Sequence, residues 1–349
     1  MKQAPPTPPL TILTVVIEKH YGYIGQQIAL IDALNPGADY RLLVVDNASA
    51  GSPSLRVDDP RCTVIAGVDA ANFPAEGRGS YHHAAALNGA LAQVDTRHLL
   101  IIDPDFFVVR PGWIADCLHR MQDRALYFFG APWHYLSFRK WRYFPCVHFL
   151  LIDLEKAKTD RLDFTPSIVE DRRWLNSAAA KWLKRRAPLL HSISLIESRR
   201  DTGWRLRRTF GRRGRERSEV LLPVLDVEIE LDRPKSFGRP RSHWIEQLLP
   251  RRWSFLPAPG TWVDPADVQG LDQPELQSLD PETFAWRGAP FAFHMRRNMR
   301  DKGKGRTEAD TLRDAADLAR LLQRTMALAT PGRRDSDAAG HDRPAAAAG

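Results

Sequence analysis

The stretch HLLIIDPDFFV, residues 98–108, decides the fold. Five residues, His98 to Ile102, form an apolar run too short for a helix of ordinary length. They read as a strand buried on both faces. Asp103-Pro104-Asp105 then stops the strand with a turn and two carboxylates spaced i, i+2. Upstream, Leu10 to Ile17 (LTILTVVI), Arg41 to Val45 and Cys62 to Ala66 are apolar runs of the same kind. Ile24, Ile28, Ile31 and Leu34 recur at helical spacing over Gly22 to Leu34, and Asn35-Pro36-Gly37 ends that segment. Ser80 is the predicted N-cap of a second helix reaching Gln93. The order strand, helix, strand, strand, helix, strand predicts an α/β domain whose mostly parallel sheet is covered by helices on both faces. Ligands of such sheets bind at the carboxyl ends of the strands, where Asp46 and the Asp103/Asp105 pair lie.

Downstream of this unit the pattern is weaker. Pro111 to Arg120 predicts a helix, and Leu126 to Phe129 and Val147 to Ile152 predict strands. Residues 167–186 read as a basic helix, 199–218 as an Arg-rich helix or loop, and Leu221 to Leu231 as a strand. Residues 233–290 have no order that the pattern reveals. Glu308 to Leu328 is an amphipathic helix with Leu312, Leu318, Leu321 and Leu322 on one side. The expected organisation is an extended lead-in at 1–9, a ligand-binding half at 10–155, a second half with a terminal helix at 156–328, and a disordered tail at 329–349.

Composition narrows the class. The chain has 349 residues, 43% of them hydrophobic, which excludes a fibrous or wholly disordered protein. Its three cysteines, Cys62, Cys117 and Cys146, are far apart and form neither a disulfide framework nor a cysteine zinc site. No run approaches the roughly 20 apolar residues that span a bilayer, and the first residues lack the apolar region of a secretory signal. A cytoplasmic protein is expected. The net charge of +8 is local: residues 171–220 carry fifteen Lys or Arg against five Asp or Glu, more than the whole excess. That block reads as a solvated positive face or as a peripheral contact with anionic lipid or a lipid-linked pyrophosphate. Trp174, Trp182 and Trp204 lie within it, but no nucleic-acid-binding module surrounds them, so no nucleic-acid partner is expected. The chain has no Walker A loop, no dinucleotide fingerprint, no nucleophile elbow and no H-E-x-x-H helix.

Two carboxylates leaving one strand can share a hard divalent cation, Mn²⁺ or Mg²⁺, with substrate phosphates; the plain alternative is a solvated Asp-Pro-Asp turn. The runs TILTVVI, LLVVDNAS and HLLIIDPDFFV, followed by Pro111-Gly112-Trp113, resemble the GT-A glycosyltransferases, especially the family-2-like enzymes that use nucleotide sugars. The resemblance spans residues 10–155 and implies a GT-A-type, Rossmann-like sheet with C-terminal additions. It also implies a nucleotide-diphospho-sugar donor, a divalent metal, and a glycan, lipid-linked or small-molecule hydroxyl acceptor, with inversion of the sugar. Mapped residue by residue, it puts the nucleoside on Asp46, with Asn47 beside it, and a backbone contact around Val16 to Glu18. The metal–diphosphate falls on Asp103 and Asp105. Asn72 stands where relatives carry Asn-x-Gly, and Ser80, His83 and Asn88 of GSYHHAAALN either face the donor or belong to an ordinary capped helix. A late histidine of the family falls on His294, with Arg296 and Arg297 as phosphate contacts. The general base falls on Asp201, with Glu170 or Asp171 as the other choice and ordinary ion pairing as the plain one. A nucleotidyltransferase and a non-catalytic nucleotide-binding protein are the alternative functions.

Overall fold

The computed structural model describes residues 9–49, 51–134, 143–168, 178–179, 182, 186, 200–226, 260–295 and 307–329. Among these, β1 (Leu10–Val16), α1 (Tyr21–Leu34), β2 (Arg41–Asp46), β3 (Cys62–Ala66), α2 (Arg78–Ala90) and β4 (His98–Ile102) follow the predicted order. Then come β5 (Phe106–Val108), α3 (Trp113–Asp123), β6 (Phe128–Gly130), β7 (Phe149–Asp153) and α4 (Leu154–Ala157). The remainder is α5 (Trp204–Glu216), β8 (Ser218–Val220), β9 (Leu222–Pro223), α6 (Pro274–Leu279), β10 (Glu282–Trp286), β11 (Ala289–His294) and α7 (Glu308–Ala329).

The strands form a seven-stranded sheet of order β3-β2-β1-β4-β7-β6-β8 and a four-stranded sheet of order β5-β11-β10-β9. In the large sheet β3, β2, β1 and β4 run parallel, β7 is antiparallel to β4 and β6, and β8 is parallel to β6. The molecule is thus mixed α/β with a mostly parallel sheet. The apolar runs of β1, β2, β4 and β7 are continuous because both faces are covered, whereas the edge strand β3 is partly exposed. Leu42, Val44, Leu100, Ile102, Phe149 and Leu151 pack toward α1, α3, α7 and the small sheet. Leu43, Val45, Leu99, Ile101, Leu150 and Ile152 pack toward α2 and α5. The strand period of two divides each run between two cores. Gly130 permits the β6–β7 approach, since a Cβ there would sit 2.0 Å from the carbonyl oxygen of Phe149.

Several boundaries differ from the sequence reading. Ser80 is not the cap of α2. The helix starts earlier, at Arg78, because Gly77 takes a left-handed conformation (φ 76°) and turns the chain in. The helix expected from Pro111 starts at Trp113. The Arg-rich segment is helical as α5, broken at Gly211, with Trp204, Leu206 and Phe210 buried. Most of residues 167–186, the later part of Leu221 to Leu231, and residues 1–8 and 330–349 lie outside the described residues. The stretch 233–290, unreadable by pattern, contains α6, β10 and the start of β11.

Candidate active site

Asp103 and Asp105 leave the carboxyl end of β4 on a tight turn. Phe106 N–H donates to the Asp103 carbonyl at 3.1 Å, and Asp103 N–H donates to the His148 carbonyl at 3.0 Å. Gln27, buried on α1, clamps the turn from behind: its side-chain amide donates to the carbonyls of Asp103 (3.0 Å) and Phe106 (3.1 Å). A charge pair on a loop is normally mobile, but here buried hydrogen bonds fix the backbone on both sides.

The small sheet supplies a third ligating group. β11 pairs with β5 so that His294 lies opposite Phe106, and Met295 N–H continues the ladder to the Asp105 carbonyl at 2.9 Å. His294 Nε2 therefore sits 3.4 Å from Asp105 and 3.9 Å from Asp103. One ligand atom from each of Asp103, Asp105 and His294 lies within 4.8 Å of the others. His294 is 1% exposed and Asp103 27%, so the cluster is closed behind and open in front. Burial pushes the His294 imidazolium pKa down, but the charge and hydrogen bond of Asp105 and then those of Glu282 outweigh it, and it rises to about 9.

The other sequence candidates separate into those near this cluster and those occupied elsewhere. His83 on α2 reaches Asp103 at 3.9 Å. One turn earlier on α2, the Ser80 carbonyl accepts from the Thr202 hydroxyl at 3.1 Å. Asp201, the residue before Thr202, is thereby held near the first turn of α2. Asp201 is buried, and its carboxylate accepts the N–H of Thr202 at 2.9 Å. Asn88 is committed to the 163–165 loop, accepting from Phe164 N–H and donating to Asp163 and Thr165. Asn72 is exposed on a short turn. Arg296, Arg297, Glu170 and Asp171 lie outside the described residues.

Asp46 ends β2, beside β1, which neighbours β4. Both its oxygens accept from protein donors: Tyr21 hydroxyl at 2.8 Å, Ala48 N–H at 3.2 Å and Leu55 N–H at 3.0 Å. Asn47 is buried and donates to the His82 carbonyl at 3.3 Å, while its N–H donates to the Val16 carbonyl at 2.8 Å. Glu18 accepts from the Ser52 hydroxyl and Ser49 N–H, which hold its pKa down at about 2. The ends of β1 and β2 are thus laced to Ala48, Ser49, Ser52 and Leu55.

Sequence reasoning missed Gln27, His148 and Glu282. Gln27 interrupts an apolar helix face, which is a weak signal for a buried polar clamp. His148 lies inside the predicted strand Val147 to Ile152, and in the structure it just precedes β7. Glu282 lies in the unordered stretch, and only its pairing opposite His294 gives it meaning.

No family model matches the chain, and no curated protein matches its sequence. Solved structures similar to it include the galactosyltransferase LgtC in complex with donor and acceptor sugar analogues (14% identity, 73% of this chain and 86% of that one, TM-score 0.36). Others are the mannosyltransferase PcManGT from Pyrobaculum calidifontis in complex with GDP-Man and Mn²⁺ (18% identity, 46% and 48%, TM-score 0.32) and TarS of S. aureus with UDP-GlcNAc (12% identity, 44% and 48%, TM-score 0.32). The matched part spans about half the length of the TarS and PcManGT chains. Likenesses this loose establish no residue-by-residue correspondence. Among the described residues, no helix is long and apolar enough to cross a membrane.

Proposed function

We propose that the chain is a divalent-metal-dependent glycosyltransferase of GT-A type, moving a sugar from a nucleotide-diphospho-sugar to a hydroxyl acceptor with inversion. The observation that carries this reading is the convergence of Asp103, Asp105 and His294 at the carboxyl end of β4. Two carboxylates with one imidazole form an oxygen-rich donor set that suits Mn²⁺ or Mg²⁺. A cation held there neutralises the charge that a departing nucleoside diphosphate gains. Asp105 and His294, the more buried of the three, and Asp103, the more exposed, would hold such a cation. Asp46, with Ala48 and Leu55 bound to it, forms the nucleoside end. Asn47, Asn72, Ser80, His83 and Arg296 are the remaining donor-side candidates.

Asp201 is the proposed base. It accepts the proton of the acceptor hydroxyl as that oxygen attacks the sugar carbon. The proposed donor half, 10–155, and acceptor half, 156–328, share both sheets, and the second holds Asp201 and also supplies His294 to the metal site. The arginines of α5 support an acceptor that is anionic or held at an anionic surface, such as a lipid-linked glycan.

The test is product analysis with a panel of UDP- and GDP-sugars and Mn²⁺. Release of nucleoside diphosphate supports sugar transfer. Release of pyrophosphate from a nucleoside triphosphate and a sugar phosphate assigns the chain to nucleotidyl transfer instead. Absence of nucleotide binding contradicts both.

A further inference from the structure

We propose that Glu282 is a positioning residue that fixes the orientation of the His294 imidazole, so that Nε2 alone is presented to the Asp103/Asp105 carboxylates. The inference rests on the metal-site reading above and assigns the residue behind it. Glu282 and His294 are directly paired across the antiparallel β10–β11 ladder. Each side chain is 1% exposed, and His294 Nδ1–H donates to the Glu282 carboxylate at 3.0 Å.

The backbone alone leaves one freedom open. β5 and β10 hold the His294 main chain from both sides. Its ring stacks on His148 at 4.9 Å and 23° and touches Phe106 at 5.5 Å, and these two rings also contact each other at 5.6 Å. The stack on His148 sets the plane of the ring, yet a half-turn about χ2 keeps that plane and swaps the nitrogens for carbons. Sterically the two states are nearly equal. Two contacts separate them, the Nδ1–H bond to Glu282 and the approach of Nε2 to Asp105; when Nε2 is given to a cation in the neutral ring, the bond to Glu282 is the one that still holds the ring. A carboxylate behind a ligating histidine typically contributes 10–100-fold to metal affinity.

The experiment measures Mn²⁺ affinity of the full-length chain by electron paramagnetic resonance of unbound Mn²⁺, alone and with UDP or GDP. Glu282→Met keeps the side-chain volume and removes the acceptor. It should bind Mn²⁺ about 10–100-fold more weakly than the wild type. Glu282→Gln keeps an acceptor for Nδ1–H and should recover most of the affinity. Phe284→Leu, a buried change on the same strand, should lower Tm without a matching loss of affinity. Wild-type affinity in the Met variant would overturn the proposal, as would equal losses in Met and Gln. If the wild-type chain binds no Mn²⁺, the metal-site reading fails and this inference fails with it. If the wild type binds and the Met variant binds equally, only the role of Glu282 fails.

Discussion

Nε2 of His294 lies 3.4 Å from the carboxylate of Asp105, brought there by a strand from a different sheet. The contact joins the carboxyl end of the parallel sheet to an interior strand of the small one. Because β5 begins immediately after the Asp103–Asp105 turn and pairs with β11, the same hydrogen bonds that build the small sheet also build the cluster. The site is therefore as rigid as that pairing.

Asp105→Asn removes one negative ligand from this contact at constant size. The wild-type chain should gain thermal stability from UDP or GDP that depends on Mn²⁺, about 2.7 kcal/mol at a hundredfold excess over Kd. The variant should lose the metal-dependent part. Thermal-shift titrations with and without Mn²⁺ read this directly, and an unchanged metal increment in the variant would remove Asp105 from the ligand set.

Metal binding should be coupled to a proton. Burial opposes the charge on His294, but Asp105 and then Glu282 raise its pKa to about 9, above the ordinary histidine value near 6.5. With a raised folded value, the stabilisation from this proton is fully present below about pH 6.5 and is lost as the pH rises through about 9. A cation needs the neutral ring, so Mn²⁺ affinity should climb up to about tenfold per pH unit between 7 and 9 and then level off. Calorimetry at pH 7.5 in buffers of different ionisation enthalpy should show release of about one proton.

Asp201→Asn should leave donor binding unchanged and lower kcat by about 10²–10⁴-fold, the usual contribution of a general base. Single-turnover kinetics with a competent acceptor separate the two effects. A variant that retains full kcat would return Asp201 to a structural part beside Thr202.

Asp153 gives a stability test away from the site. It caps α4 and takes ion pairs from Lys156 at 3.0 Å and Arg97 at 3.2 Å. Burial raises its pKa, but the Lys156 and Arg97 hydrogen bonds prevail and hold it below the usual aspartate value. With a depressed folded value, its stabilisation is present above about pH 4 and is lost as the pH falls through the folded pKa. Asp153→Asn should cost about 2 kcal/mol at pH 7, and the deficit should shrink below about pH 4. Urea titrations at both pH values check the sign.

The large sheet was readable because its strands are short, apolar on both faces and closed by turn residues, as in HLLII followed by Asp103-Pro104. The Asp103/Asp105 pair stood out for the same reason. Of the small sheet only β9 falls within a predicted strand, Leu221 to Leu231; the pairing was not readable, because β5 has three residues and β9 two, and their partners come from the far part of the chain. Strand pairing over such distances leaves no periodic trace. Glu282 and Gln27 were missed because a single buried polar residue looks like a surface residue until its partner is placed. Ser80 looked like a cap because the sequence does not display that Gly77 turns left-handed.

The most direct measurement is an anomalous-difference map from crystals soaked with Mn²⁺ and UDP or GDP. The account predicts one strong peak within about 2.5 Å of carboxylate oxygens of the Asp103/Asp105 pair and of His294 Nε2, in contact with the diphosphate. A nucleotide bound elsewhere, or a peak that avoids all three side chains, would contradict it.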